Sequence, residues 1–137
     1  MSLEANMFVE GERQLGKYTV RIARYSSSGW SPTIPPLEVT ITNRRLFIRP
    51  QVRKTYQPAS IPKDYITRTR EVELDRLHGL AISLKTGHTL YTYIDKEHGD
   101  KLLEDLHAML LPTPHFKFDE KVVEADIQRL IDFINRM

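Results

Sequence analysis

The sequence predicts a mainly β fold that ends in helices, α+β when its elements are counted. Three observations predict it. Several segments between Lys17 and Ile94 alternate apolar and polar residues with period two. Turn-forming residues such as Asn43 and Thr86-Gly87 separate them. After Asp95 the apolar period lengthens to that of an amphipathic helix. Period two marks half-buried strands, and the longer period marks helices. At 137 residues, 40% of them hydrophobic and 28% charged, the chain suits one globular domain with its own core.

From Lys17 to Tyr25, Tyr18, Val20 and Ile22 share one face, while Lys17, Thr19, Arg21 and Ala23 share the other. Ser26 to Pro36 reads as a loop, because Pro32, Pro35 and Pro36 oppose regular pairing. Leu37 to Thr42 turns Leu37, Val39 and Ile41 inward. Asn43-Arg44 makes a tight turn, since Asn tolerates positive φ, and Arg45 to Pro50 returns with Leu46 and Ile48 inward. Gln51 to Lys63 reads as a second long connection with Pro58 and Pro62. Strand character resumes before Val72 and Leu74, and a last hairpin joins Leu80–Lys85 to His88–Ile94.

Asp95 is a good N-cap, and Leu102, Leu103, Leu106, Met109 and Leu110 form the stripe of the helix it starts. Pro112 ends that helix. A second helix begins near Asp119, where Phe118 is placed to staple against Val123. Its stripe is Val123, Ile127, Leu130, Ile131 and Ile134. The stripe needs cover from the sheet, the first helix or another copy of the chain. Hairpins followed by a terminal helix imply a bent sheet or partly open barrel with a helix at one end.

The order of motifs resembles a known superfold. Gly11-Glu12 precedes the first strand, and Val39-Thr40-Ile41-Thr42-Asn43-Arg44-Arg45-Leu46-Phe47-Ile48 follows it. Val72-Glu73-Leu74-Asp75-Arg76-Leu77 comes next, then a Lys-Thr-Gly hairpin and a leucine-rich helix. This resembles the pleckstrin-homology (PH) superfold, in particular its GRAM-like and bacterial PH-like branches. The resemblance implies six to seven antiparallel strands closed by an amphipathic helix over residues 10–111. It leaves a linker at 112–118 and an additional helix at 119–137, within one domain of residues 1–137. It also implies a non-enzymatic adaptor that binds anionic lipids, peptides or proteins. Lipid-binding members carry basic residues on both sides of the first hairpin loop. Here Lys17, Arg21 and Arg24 lie on the first strand, but Leu37-Glu38-Val39-Thr40 adds none on the second.

Composition removes several function classes. With no cysteine, disulfides and thiolate chemistry are excluded. No apolar run reaches the length of a membrane span, and the first residues lack the basic and apolar regions of a secretory signal. The five histidines form no metal-binding pair, and no phosphate loop or nucleophile elbow occurs. The expectation is therefore a protein without catalytic residues, metal or cofactor, cytoplasmic and peripheral on a membrane.

Charge points to the partner. Residues 1–85 hold 14 basic and 8 acidic residues, net +6, while residues 86–137 hold 6 and 10, net −4. The densest basic run is Arg44, Arg45, Arg49, Arg53, Lys54, Lys63, Arg68 and Arg70, with Asp64 as the lone acid. Guanidinium groups fork onto phosphate oxygens, so this run is the leading candidate for anionic lipid. Trp30 and Ile34, on the first long loop, are candidates for insertion at a lipid interface. Tyr56 and Tyr65 within the basic run would also suit single-stranded nucleic acid, but no RNA- or DNA-binding signature accompanies them, so that reading is minor. The alternative function is protein interaction or self-association, through a sheet edge and the helical stripe Val123, Ile127, Leu130, Ile131 and Ile134.

Overall fold

The alternating segments form one bent antiparallel sheet. The computed structural model describes residues 8–32, 36–50, 58–111 and 117–136. Its strands are β1 (Gln14–Ser26), β2 (Gly29–Pro32), β3 (Leu37–Thr42), β4 (Arg45–Pro50), β5 (Ala59–Pro62), β6 (Ile66–Leu74), β7 (Leu77–Leu84) and β8 (Thr89–Tyr93). The helices are α1 (Lys96–Met109) and α2 (Glu120–Arg136). The strand order is β5-β4-β3-β1-β8-β7-β6, with β2 paired to β1. The sheet does not close: β5 and β6 end the order, joined by one 3-10 turn at Lys63–Tyr65.

Eight strands replace the expected six to seven. Both additions, β2 and β5, are four-residue strands inside the proline-bearing segments read as loops. Proline is tolerated there because Pro32 and Pro62 sit at strand ends, where a missing N–H breaks no ladder. The strand β7 begins at Leu77, three residues before its apolar alternation becomes clear.

The long strand β1 bends the sheet. Its first part, Gln14 to Val20, pairs with β3, and Arg21 and Ile22 pair with β8. The β6–β7 turn places Asp75 at φ 49° and Arg76 at φ 75°, the left-handed pair that a two-residue hairpin requires. Inward-facing Val20, Ile22, Leu37, Val39, Ile41, Leu46, Ile48, Leu80, Ile82 and Leu90 build the core.

Helix α1 starts as expected. The Asp95 carboxylate accepts from the His98 N–H at 3.0 Å. That bond, then the His98 ring, holds its carboxyl below the usual carboxylate range. Leu102, Leu106 and Met109 are buried, while Leu110 at the end of the stripe is exposed. Tyr18 on β1 donates its hydroxyl to Asp105 of α1. Burial, then Asp105, pushes the Tyr18 hydroxyl well above its ordinary pKa.

Helix α2 follows a cap at Asp119, whose carboxylate accepts from the Lys121 N–H at 2.9 Å. Val123, Ile127, Leu130 and Ile134 are buried in the same core as the sheet, and Ile131 is half-buried. The helix packs along β5. The Ser60 N–H donates to Asp126 at 3.3 Å, and Arg129 reaches the Pro58 carbonyl at 3.4 Å. At its far end Arg24 of β1 donates to the Ile134 carbonyl at 3.2 Å. The sheet of the same chain therefore covers the stripe.

This packing sets a stability prediction. Ile127→Ala should destabilise the protein by about 2–5 kcal/mol, the range for truncating a buried isoleucine. Val122→Ala, on the exposed side of α2, should stay within about 0.5 kcal/mol. Denaturant unfolding of both variants measures the contrast, and equal small effects would mean that α2 lies outside the core.

Candidate functional site

The basic run divides between the two ends of the sheet, β4 and β6. On β4, alternation turns Arg45, Phe47 and Arg49 to the side opposite Leu46 and Ile48. Arg45 is buried there. Its guanidinium grips Glu12 at 3.0 Å through both Nε and Nη2, and it donates to Ser60 Oγ at 3.2 Å. It lies 4.5 Å from the Phe47 ring centroid and 4.8 Å from that of Phe118. The Glu12 side chain is fully enclosed and also accepts from Thr42 at 2.6 Å. Arg49 pairs with the buried Glu38 at 2.9 Å, and Lys17 approaches the same carboxylate at 3.5 Å. These guanidinium groups are structural, and a phosphate would have to displace their carboxylates.

Two more described residues of the run, Arg44 and Lys63, lie elsewhere. Arg44 is half-buried in the β3–β4 turn beside Gly11, where an added Cβ would lie 3.2 Å from its Nη2. Lys63 donates to the Leu111 carbonyl at 3.1 Å. Arg53 and Lys54 fall outside the described residues, as do Ile34 and Tyr56.

Arg68 and Arg70 remain, exposed on β6. Their register shows which way they face. Arg70 is opposite Ala81, which is opposite Tyr91; Arg68 is opposite Ser83. Directly paired residues share a face, and β7 turns Leu80, Ile82 and Leu84 to the core. Arg68, Arg70, Ala81 and Tyr91 therefore lie on the outward face. The next row runs Val72, Gly79, Tyr93 and Arg21 across four strands. Arg21 joins this face although it lies far from the basic run in sequence. The signal for it was present: Arg21 is out of phase with Val20 and Ile22 on the first strand.

Trp30 packs onto the same outward face. Its ring lies 4.7 Å from that of Tyr91 and 5.1 Å from that of Tyr25. Its backbone N–H donates to Asp75 in the β6–β7 turn at 2.7 Å. The β1–β2 hairpin is thus pinned over the sheet, and Tyr25, 72% exposed, is its outermost aromatic residue. Burial, then the nearby Asp75 carboxylate, raises the Tyr93 pKa. Beside Arg21 a shallow cleft is lined by Pro36, Leu77, His78, Tyr93 and Asp95. Among the described residues, no cluster of three or more His, Asp or Glu is placed to hold a metal ion.

The N-terminal PH domain of Vps36 superposes with a TM-score of 0.57 at 14% identity, covering 74% of this chain and 82% of that one. The fold is PH-like. The N-terminal PH domain of human ARAP2 matches with a TM-score of 0.50 at 14% identity, over 77% of this chain and 90% of that one. The C-terminal domain of an unknown protein from Leishmania infantum gives 0.50 at 14% identity, over 73% and 86%. No family model and no curated protein matches the sequence. These likenesses establish the PH-like fold and do not single out its GRAM-like branch.

Within the PH-like frame, the first hairpin runs from β1 into β2 and β3. Of its three basic residues, Lys17 faces Glu38 and Arg24 holds the end of α2. Arg21 alone has no side-chain partner among the described residues.

The Arg45 assembly yields a direct test. Arg45→Ala should cost about 3–5 kcal/mol, because it leaves the enclosed Glu12 carboxylate uncompensated. The double variant Glu12→Gln with Arg45→Met should recover a large part of that loss. Thermal unfolding of the two proteins decides. A mild effect of Arg45→Ala would return this residue to the list of ligand-binding candidates.

Proposed function

We propose that this chain is a non-catalytic binding module that engages an anionic membrane surface through the outward face of β1, β8, β7 and β6. One observation carries the reading. Arg21, Arg68 and Arg70 are exposed on that face, and none has a side-chain partner among the described residues. The aromatic hairpin tip adds Tyr25, and the rim adds Leu77, 58% exposed. Tyrosine suits the interface between headgroups and acyl chains, where its ring is buried and its hydroxyl stays wet. Asp75, in the β6–β7 turn, is engaged by the Trp30 N–H. Adjacent strands are about 4.8 Å apart and residues about 3.4 Å apart along a strand, so Arg21 and Arg70, three strands and two residues apart, are separated by roughly 16 Å. That spread suits several headgroups of a surface better than a single phosphate.

Each exposed cation contributes about 1 kcal/mol near an anionic bilayer. Replacing Arg21, Arg68 and Arg70 together by Gln should weaken binding by roughly two orders of magnitude. Sedimentation with phosphatidylcholine vesicles, with and without phosphatidylserine, measures it. The expected result is binding only to the phosphatidylserine vesicles, reduced by salt and lost in the triple variant. Equal binding to both vesicle types, or none to either at low salt, would refute the proposal.

A further inference from the structure

The first hairpin ends in a serine tract that neither the core nor the membrane face uses. Ser26 pairs with Gly29, so Ser27 and Ser28 form a two-residue turn between β1 and β2. The pairing of β1 with β8 stops at Ile22. From Ala23 to Pro32 the hairpin is a two-stranded ribbon, anchored by the Trp30 ring on Tyr91 and by the Trp30 N–H on Asp75. Beyond that anchor Ser26, Ser27 and Ser28 are all exposed.

The three hydroxyls are not equivalent. Ser26 Oγ accepts from the Ser28 N–H at 3.3 Å and donates to the Gly29 carbonyl at 3.4 Å. Ser27 has no hydrogen-bond partner among the described residues. It is also the only serine or threonine of the sequence with a basic residue three positions before it, Arg24. Arg21 lies three positions further back, and residues 13–37 hold four basic residues and no acid.

A hydroxyl offered at a fixed distance after an arginine, with no acid nearby, suits the acidic substrate groove of a protein kinase, which selects by charge pattern. The strand β1 keeps Arg24 to Ser26 extended, about 10 Å from Arg24 to Ser27, so one groove can take both. Arg24 donates to the Ile134 carbonyl at 3.2 Å. A carboxylate is the stronger acceptor, so a groove lined with acids competes for it.

We propose that Ser27 is a phosphorylation site for an arginine-directed serine/threonine protein kinase, and that its phosphate releases the domain from an anionic membrane. In this step Ser27 Oγ attacks the γ-phosphorus of magnesium-bound ATP. The bond from that phosphorus to the β–γ bridging oxygen breaks, ADP leaves, and the hydroxyl proton passes to the kinase's catalytic carboxylate. The product carries about 1.5 to 2 negative charges at neutral pH. They lie just past Tyr25, the outermost aromatic residue of the membrane-facing hairpin. The release rests on the membrane reading, whereas the site does not.

The test incubates the full chain with magnesium, ATP and the catalytic subunit of cyclic-AMP-dependent protein kinase, and maps the product by tandem mass spectrometry. Phosphate is expected on Ser27, absent from Ser27→Ala and added about ten-fold more slowly to Arg24→Gln. No phosphate on Ser27, or equal rates for Arg24→Gln and the parent, would overturn the site. The phosphorylated chain should bind phosphatidylserine-containing vesicles roughly twenty-fold more weakly than the untreated chain, while kinase-treated Ser27→Ala binds as the untreated chain does. Equal binding of phosphorylated and untreated chains would overturn the release. If the untreated chain ignores these vesicles, the membrane reading fails and the release with it, and the mass spectrum alone decides the site.

Discussion

The structure depends on the burial of α2 in the same core as the sheet. The sheet stays open between its end strands β5 and β6, and α2 packs along β5. Val123, Ile127, Leu130 and Ile134 of this helix are buried in the core. The helix also meets two backbone groups of the β5 region, the Ser60 N–H and the Pro58 carbonyl. It is tied at both ends: Phe118, just before it, lies against Arg45, and the Ile134 carbonyl accepts from Arg24. The first tie covers the buried Arg45 guanidinium, and the second engages that of Arg24, which stays exposed. The same packing decides the shape of the core and which charges remain for a partner.

The fate of the arginines follows from what their strands face. Arg45 and Arg49 belong to a strand whose second side is also buried, so each is matched with an enclosed carboxylate, Glu12 or Glu38. Removing one partner of such a pair is costly, which makes these residues elements of the fold. Arg21, Arg68 and Arg70 belong to the face that β7 and β8 turn to water, where Gly79 and Ala81 form the floor and Trp30 pins the hairpin. Arg21, Arg68 and Arg70 are thereby gathered on the outward face of the β1-to-β6 half of the sheet.

Much of this was legible in the sequence. The alternation of Lys17–Tyr25 and Leu80–Lys85 follows burial of mainly one face, a local signal like the caps at Asp95 and Asp119, whereas Leu37–Thr42 alternates although both of its faces are buried. The strands β2 and β5 were hidden because four residues carry too little period, and their prolines resemble loop punctuation. The basic run was legible as charge, but not which of its guanidinium groups meet carboxylates. Its neutralising acids, Glu12 and Glu38, lie outside the run and meet it only through strand pairing. The stripe of α2 was read correctly as apolar, yet its partner is a strand about seventy residues earlier, a contact that no local pattern encodes. Trp30 likewise stood out on a polar loop, and only the positions of Tyr91 and Asp75 show that it folds back onto the sheet.

Native-state hydrogen exchange tests the central claim most directly. If α2 is part of the core, the amides of Val123 to Leu130 and that of Ser60 should open together with those of β3 and β4, at the free energy of global unfolding. The outward amides of β6 should exchange far faster, because no backbone partner among the described residues meets them. If the α2 amides exchange through a separate, low-energy opening while β3 and β4 stay protected, the helix is an appendage and the account fails.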